Sequence, residues 1–291
     1  MSKEPILSLH KVSQVFVSRN QEGWRRRYQH ALDGVDLEVH EGETLAIVGE
    51  SGSGKSTLAK LLLSLNKPTS GEVHFRGKPL TKLASAEHAT YRRSVQAVFQ
   101  DPSSSLNPRM RVAESLGYVV RRHELASVAE QTAFIERHLA SVELNPPATF
   151  MPRYPNQLSG GQQQRVAIAR AMMLEPRIVV ADEPLSSLDI SVQGQVLDLM
   201  RELKRKTGVG FVIISHDLNA MESIADRVAV MHRGRIVELG RDVFANPQHD
   251  YTKLLLAARL PADPRQARAR LAAAMASTAS AAAQAAQASA T

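Results

Sequence analysis

The stretch GESGSGKST at residues 49–57 has the residue types and the GxxxxGK[ST] spacing of a loop that binds phosphate groups. Its glycines let successive backbone N–H groups face an anion, and a helix beginning at Lys55 adds the positive end of its dipole. Lys55 would reach the terminal phosphates, and the hydroxyl of Ser56 would ligate Mg²⁺. The alternative is an ordinary glycine-rich turn with a solvated lysine. We predict that a nucleoside triphosphate contacts the residues of this stretch, which are Gly49, Glu50, Ser51, Gly52, Ser53, Gly54, Lys55, Ser56 and Thr57.

Two adjacent carboxylates, Asp182 and Glu183, follow the apolar run IVVA at residues 178–181, and His216 comes shortly after the apolar run FVII at residues 211–214. Such runs are typical of buried parallel strands, and open α/β sheets bind ligands at the carboxyl ends of those strands. Phosphoryl transfer needs charge neutralisation and a positioned water, and two neighbouring carboxylates can divide those tasks. The alternatives are a helix-entry cap for the acidic pair and an ordinary polar loop position for His216.

A second anion site is predicted where the letters LSGGQ at residues 158–162 precede a helix expected over about residues 163–173. Ser159 stands at the N-cap position of that helix, and the glycines beside it leave backbone N–H groups free. The chain therefore carries two helix N-termini that suit phosphate.

The elements that would position these groups form an α/β core. The apolar run at residues 45–48 and the two runs described above predict buried parallel strands, with a helix over residues 191–206 in a right-handed crossover. Before this core, partial alternation of apolar and polar residues at 6–17 and 31–39 predicts two half-exposed antiparallel strands.

Two segments interrupt this pattern. The polar, basic insertion at residues 18–30 is either a solvated loop or a patch that faces headgroups or a partner. From residue 112 to about 142 apolar residues recur at helical spacing, and the prolines at 146–155 end that pattern. We therefore predict a helical insert over about residues 101–157.

The C-terminal part begins with a predicted hairpin at residues 227–239 and a short helix at residues 250–258. Beyond Pro261 the chain is rich in Arg and then in Ala, Gln and Ser, which favours helix but offers little apolar surface for docking. We assign residues 1–260 to one nucleotide-binding domain and residues 261–291 to a tail that is disordered or loosely helical.

Composition narrows the function classes. The 291 residues are 43% apolar, which is ample for a core, and the absence of cysteine excludes disulfides, thiolate metal sites and cysteine-ligated iron–sulfur clusters. No run of about eighteen apolar residues and no signal-like apolar stretch is present, so we expect the chain to stay on the cytosolic side. The net charge of +7 suits nucleic acid, anionic headgroups or a bound nucleotide and does not choose among them.

In chain order, GESGSGKST, Gln100, LSGGQ, VVADEP, SLD at residues 187–189 and His216 resemble the motif series of ABC-type ATPases over about residues 6–258. The resemblance implies an α/β fold with a P-loop NTPase core and a mainly parallel sheet, an N-terminal antiparallel β subdomain and an inserted α-helical subdomain. The strings FQDPSSSLNPR (residues 99–109) and NPQHDYT (residues 246–252) are similar to the ATPase subunits of peptide/nickel importers, the oligopeptide and dipeptide permease group.

The resemblance implies a role for each motif residue. Lys55 neutralises the β- and γ-phosphates of ATP. Ser56 ligates Mg²⁺, Asp182 holds that ion through water, and Gln100 contacts it and reports ATP to a transmembrane partner. Glu183 polarises the attacking water as general base.

The resemblance also implies a head-to-tail dimer with two ATP molecules in its interface. His216 contacts the γ-phosphate, and Asp189 links the two nucleotide sites. Phe16 is predicted to stack on adenine, with Tyr28 as rival and core packing of Phe16 as the alternative. The residues that close on the ATP of the partner, and not on the ATP of Lys55, are Leu158, Ser159, Gly160, Gly161 and Gln162.

The implied function is ATP hydrolysis that powers a bacterial importer of peptides, nickel or metal chelates. The implied partners are two transmembrane permease subunits, a second ATPase subunit that is a different chain, and an extracytoplasmic solute-binding protein, with no nucleic acid. The chain would lie at the cytoplasmic face of the inner membrane, held there by the permeases. The alternative is a soluble ABC ATPase acting on nucleic acid or ribosomes, which the charge permits.

Overall fold

The computed structural model describes residues 4–19, 26–100 and 106–258. Residues 20–25 of the basic insertion, the middle of the Phe99–Arg109 string and the tail beyond Pro261, for which we made predictions from the sequence, lie outside these ranges. The strands of the described residues are β1 Leu7–Arg19, β2 Arg26–Val39, β3 Thr44–Val48, β4 Ser70–Phe75, β5 Lys78–Pro79, β6 Val95–Val98, β7 Ile178–Asp182, β8 Gly210–Ile214, β9 Arg227–His232 and β10 Arg235–Gly240.

The α-helices of the same residues alternate with the later strands. They are α1 Lys55–Leu62, α2 Ser85–Ser94, α3 Val112–His123, α4 Gln131–Ser141, α5 Gly160–Met172, α6 Ile190–Thr207, α7 Leu218–Ile224 and α8 Asp250–Ala257. In the described ranges no helix is both long enough and apolar enough to cross a lipid bilayer.

A six-stranded sheet in the order β10-β9-β3-β8-β7-β6 forms the centre of the fold. The strands from β9 to β6 pair in parallel, and β10 pairs antiparallel with β9 at the edge. Strands β3 and β8 are buried at every position, as their continuous apolar runs predict. The mainly parallel α/β core expected from the sequence is confirmed.

Alternate residues of the central strands enter two different hydrophobic clusters. Along β3, Leu45 and Ile47 pack with α1 and the N-terminal strands, whereas Ala46 and Val48 pack with the helical insert and α5. This division follows from the pleat of a strand, which sends successive side chains to opposite faces. The sheet is therefore covered on both faces.

The N-terminal strands form a separate four-stranded antiparallel sheet in the order β2-β1-β4-β5. The described parts of the insertion, residues 18–19 and 26–30, belong to this sheet, because the pairing of β1 with β2 continues through Val17 opposite Tyr28 to Arg19 opposite Arg26. The prediction of a solvated loop is therefore wrong for residues 18–19 and 26–30. Polar residues in a hairpin carry no burial signal, but their backbone groups still pair across the two strands.

Helices α3 and α4 form the insert predicted from helical spacing. Leu116 and Val120 on α3 and Ile135 and Leu139 on α4 are buried, each pair four residues apart on one helix face. They join the same cluster as the faces of α5 and α6. The insert is thus packed against α5, the helix that begins at the LSGGQ segment.

Candidate functional site

The phosphate loop follows β3 and enters α1, as its sequence predicts. Gly49 has φ 149° and Gly54 has φ 106°, values that L-residues rarely adopt. A Cβ on Gly49 would lie 2.2 Å from the carbonyl oxygen of Met231, and a Cβ on Gly54 would lie 2.3 Å from that of Ala31. Only glycine fits at these two positions, because the backbone has a positive φ and because another backbone segment of the same chain lies too close for a side chain.

Lys55 is held inside this loop. Its Nζ donates hydrogen bonds of 2.8 Å to the carbonyl oxygens of Gly49 and Glu50, and the residue is only 6% exposed. Burial lowers the pKa of Lys55, while the negative charges of Glu183, Asp182 and Glu50 oppose that shift. The ammonium group is thus poised over the loop, where phosphate oxygens could take the place of the carbonyls.

Ser53 supplies an independent sign that the loop fits a ligand. Ser53 is 4% exposed, and its Oγ has no hydrogen-bond partner within the described part of the chain. Buried hydroxyls are normally hydrogen-bonded, so an unpartnered one in a glycine-rich loop suits an acceptor supplied from outside. A nucleotide phosphate is such an acceptor.

A hydroxyl and a carboxylate converge beside the loop. Ser56 Oγ donates a hydrogen bond of 3.2 Å to Asp182 Oδ1, although the two residues are 126 positions apart. The sheet brings them together because β3 and β7 are both neighbours of β8. Burial raises the pKa of Asp182, and the hydrogen bond from Ser56 opposes that shift.

These two oxygen donors fit Mg²⁺, which prefers carboxylate and hydroxyl oxygens and takes its remaining ligands from water and phosphates. The described residues hold no cluster of three or more His, Cys, Asp or Glu side chains. A metal at Ser56 and Asp182 would therefore depend on the nucleotide for part of its coordination.

Glu183 lies next to Asp182 in a strained turn. Its φ is 47°, and its backbone N–H donates to the carbonyl oxygen of Ile214 at 2.9 Å, which fixes the turn to the end of β8. Its Oε2 lies 3.3 Å from Nδ1 of His216, whose side chain is 63% exposed. The structure thus brings together Ser56, Asp182, Glu183 and His216, four of the residues that sequence reasoning selected.

Gln100 is placed separately from this group. It is exposed and follows β6, the strand beside β7, so it lies at the same edge of the sheet. No contact between described residues joins its side chain to Ser56 or Asp182. Its predicted role at the metal stays a prediction.

The LSGGQ segment forms the second helix N-terminus. Ser159 Oγ accepts a hydrogen bond from Gln162 N at 3.3 Å, and Gln162 Oε1 accepts one from Ser159 N at 3.1 Å. This reciprocal pair is a capping box. Leu158 is buried and anchors the segment, whereas Ser159 and Gly160 are exposed at the start of α5.

The LSGGQ segment at residues 158–162, which is the signature segment, packs against the loop that carries Asp189. A Cβ on Gly161 would lie 2.5 Å from Cγ1 of Val192, and one on Gly160 would lie 3.3 Å from Cδ2 of Leu188. Asp189 itself is exposed at the N-cap position of α6. The two motifs are therefore neighbours on one exposed surface.

Two glutamines that sequence reasoning missed brace these two motifs. Gln163 Nε2 donates to the carbonyl oxygens of Pro155 and Leu158 at 3.0 and 3.2 Å, and Gln193 Nε2 donates to those of Leu185 and Leu188 at 3.1 and 3.0 Å. Each glutamine lies four residues after its helix N-cap. A glutamine four residues after each of these N-cap positions is the sequence signal that could have identified them.

Phe16 is 42% exposed, so the alternative of core packing for its side chain is wrong. Tyr28 is 59% exposed on the paired strand. Phe16 lies opposite Gln29, and Tyr28 lies opposite Val17. Directly opposed residues share a face of a ribbon, so the two aromatic rings occupy opposite faces and only one of them can meet a given base.

Comparison with known proteins gives three findings. Residues 32–186 match the family model described as ABC transporter. The chain is 46% identical over 230 residues to the oligopeptide transport ATP-binding protein OppF of Lactococcus lactis subsp. lactis, and the match covers 78% of this chain and 72% of that protein. It is 46% identical over 243 residues to the dipeptide transport ATP-binding protein DppF of Haemophilus influenzae, covering 83% and 74%.

Solved structures agree with these sequence matches. The structure described as a dimeric post-hydrolysis state of the ATP-binding cassette MJ0796 bound to ADP and Pi has a TM-score of 0.69 and 32% identity, and the match covers 81% of this chain and 98% of that chain. The cassette described as cbiO1 from Clostridium perfringens has a TM-score of 0.71 and 27% identity, covering 91% and 98%.

Proposed function

This chain belongs to the ABC transporter family and is an ABC-type ATPase that binds ATP, and on that premise we propose that it is the ATP-hydrolysing subunit of a bacterial peptide importer. The observation that carries the proposal is the convergence of a buried Lys55, the Ser56–Asp182 pair and Glu183 at the carboxyl ends of adjacent strands. The relatives named for oligopeptide and dipeptide transport support the substrate class.

Lys55 binds the β- and γ-phosphates by exchanging its loop carbonyls for phosphate oxygens. Charge-assisted hydrogen bonds to an anion are roughly twice as strong as neutral ones, and the site is partly desolvated, so the exchange is favourable. Ser56 and Asp182 hold Mg²⁺, with Gln100 as a further ligand. The bound ion supplies charge neutralisation of the phosphate oxygens.

Glu183 acts as general base toward the attacking water. Its backbone is held by the hydrogen bond to the Ile214 carbonyl, and its Oε2 lies 3.3 Å from Nδ1 of His216. His216 is exposed, which leaves its other ring nitrogen free to meet the γ-phosphate. The two side chains thereby divide water activation and phosphate positioning.

The exposed residues Ser159 and Gly160, with the buried Gly161 next to them, serve a second ATP molecule, bound to the phosphate loop of a partner ATPase. Helix α5 directs its N-terminus and capped Ser159 to solvent, where an anion can approach. Asp189, packed beside this surface, links the two nucleotide sites. This role implies a head-to-tail pair, and we propose that the second ATPase subunit is a different chain.

The remaining partners follow from the importer role. Two transmembrane permease subunits hold this chain at the cytoplasmic face of the inner membrane, and an extracytoplasmic binding protein delivers the substrate. Phe16 is the aromatic residue that stacks on adenine, with Tyr28 as its rival. The names of the relatives favour peptides over nickel, and they do not favour the alternative of an ATPase that acts on nucleic acid or ribosomes.

The test uses this chain assembled with its permeases and partner ATPase in proteoliposomes. ATP hydrolysis should be stimulated by the binding protein loaded with a short peptide and not by Ni²⁺, and Lys55→Ala should abolish the stimulated rate. Stimulation by Ni²⁺ alone would contradict the peptide assignment. A Lys55→Ala complex with the wild-type rate would contradict the assignment of the ATP site itself.

A further inference from the structure

The NPQHDYT string at residues 246–252 has no role in the chemistry described so far, yet it contacts the back of the phosphate loop. Glu238 on β10 accepts hydrogen bonds from the backbone N–H groups of Gln248 at 2.8 Å and His249 at 3.0 Å. His249 Nδ1 in turn accepts from the backbone N–H of Tyr251 at 3.1 Å. These contacts fix the first turn of α8 against the central sheet.

Tyr251 projects from that turn into the fold. It is 8% exposed, and its ring lies on the ring of His232 with centroids 3.9 Å apart and a tilt of 33°. Its phenolic oxygen accepts a hydrogen bond of 3.2 Å from the backbone N–H of Glu50, the second residue of the phosphate loop. A residue 201 positions away therefore reaches the loop from the side opposite Lys55.

Tyr251 and Lys55 hold the two ends of the same peptide unit. The unit that joins Gly49 to Glu50 has its N–H bonded to Tyr251 Oη, and its carbonyl oxygen accepts from Lys55 Nζ at 2.8 Å. Hydrogen bonds in such a chain polarise one another, so each strengthens the other. The orientation of this peptide unit is fixed from both sides.

One of these two anchors is expected to leave on ATP binding. In the function proposed above, on which this step rests, Lys55 turns from the Gly49 carbonyl to the phosphates. The tyrosine anchor stays, because Tyr251 lies behind the loop and its ring is packed on His232.

We propose that Tyr251 is a positioning residue for the ATP site, which keeps the Gly49–Glu50 peptide unit in its binding conformation when Lys55 turns to ATP. Gly49 has φ 149° and lies close to Met231. Because glycine adopts many backbone conformations with similar ease, contacts with other residues must hold this peptide unit in the conformation that it adopts. Without the phenolic oxygen, ATP must order the loop as it binds, which weakens affinity.

The test compares Tyr251→Phe with the matched variant Tyr91→Phe. Both changes remove one phenolic hydroxyl from a buried ring. Tyr91 is 2% exposed and donates to the carbonyl oxygen of Leu62 at 2.5 Å, at the far end of α1 from the phosphate loop. The control therefore reports the loss of a buried hydrogen bond without the loss of the loop contact.

Tyr251→Phe should raise the Kd for ATP, and the KM of the assembled complex, by about three- to tenfold, the usual worth of one hydrogen bond. Its kcat at saturating ATP should stay within about twofold, because Glu183 and Asp182 are untouched. Tyr91→Phe should lower the melting temperature while leaving both ATP constants within about twofold.

Unchanged ATP affinity in Tyr251→Phe would overturn the proposal, and so would an equal loss in Tyr91→Phe. A fall in kcat without a rise in KM would also overturn it, because a positioning role predicts the reverse. Failure of the proposed function is distinguishable, since it would appear as Lys55→Ala hydrolysing ATP at the wild-type rate.

Discussion

Replacing Glu183 with glutamine isolates the charge that we assign to water activation. Glutamine has nearly the same shape, and it bears the same backbone cost of about 1–2 kcal/mol at φ 47° as the glutamate that it replaces. The hydrogen bond from the backbone N–H of residue 183 to Ile214 is retained. The change therefore removes a carboxylate beside His216 and leaves Lys55, Ser56 and Asp182 in place.

Loss of a general base is worth about two to four orders of magnitude in rate. At about 1.36 kcal/mol per tenfold, the barrier should rise by about 2.7–5.5 kcal/mol. ATP affinity should not fall, because a negative charge near the phosphates is lost and the phosphate-binding groups are intact. ATP should consequently remain bound to the complex after gel filtration.

The assay measures phosphate release and retained nucleotide on the assembled complex. Glu202→Gln is the control, since it makes the same chemical change on an outer position of α6 where the carboxylate pairs with Arg205 and Lys206. The control should hydrolyse ATP at the wild-type rate. Hydrolysis by Glu183→Gln within about threefold of wild type, equivalent to about 0.7 kcal/mol, would refute the assignment of the general base.

Three further predictions concern stability and boundaries. Burial raises the pKa of Asp182 above its ordinary value of 3.8, so the folded chain binds that proton more tightly than the unfolded chain and loses stability as pH rises from 3.8 to the raised pKa. Without nucleotide, Asp182→Asn should therefore melt at a higher temperature than wild type, by a margin that grows with pH between those two values. The same variant should lose the Mg²⁺-dependent stabilisation by ATP. Gly49→Ala should lower the free energy of unfolding by about 1–3 kcal/mol in denaturant titrations, because its Cβ would meet the Met231 carbonyl at 2.2 Å. Gly194→Ala is the control and should not destabilise the protein, because Gly194 lies on a helix with open space beside it. Truncation at Pro261 should change the ATPase rate by less than about tenfold, since the tail has little apolar surface to dock, and a larger loss in that assay would show that the tail completes the site.

The parts of the fold that could be predicted from sequence are those with a strong local pattern. Strands β7 and β8 are continuous apolar runs with polar residues directly after them, and Ser159 forms the capping box that its spacing to Gln162 indicates. The phosphate loop is equally local, because its glycines and Lys55 lie within nine positions of one another. Each of these features is indicated by residues that are neighbours in the chain, although distant strands complete it.

Other features depend on contacts between distant segments and left no local signal. Ser56 meets Asp182 across 126 positions and Tyr251 meets Glu50 across 201, and in each case the order of strands in the sheet sets the proximity. The sequence resemblance gave Ser56 and Asp182 a common role before the structure placed them together. It assigned none to Tyr251.

The polar hairpin shows a different limit. The pairing of Val17 with Tyr28 extends β1 and β2 into a segment that hydropathy indicates to be a loop. Backbone hydrogen bonds stabilise such an extension whatever the side chains are, so a pattern of polarity cannot detect it. The positive φ of Glu183 is likewise imposed by the strand ends around it.

The central claim is that the phosphate loop and the signature segment of this chain act on different ATP molecules. Its most direct test is the Kd for ATP of the isolated Ser159→Arg variant, measured beside wild type and Lys55→Ala. Ser159 is exposed at the start of α5, whereas Lys55 hydrogen-bonds within its own loop, so the Kd of Ser159→Arg should stay within about twofold of wild type, while Lys55→Ala should bind at least about tenfold more weakly. A loss of about tenfold or more in Ser159→Arg would place Ser159 at the ATP of its own Lys55 and contradict the head-to-tail account.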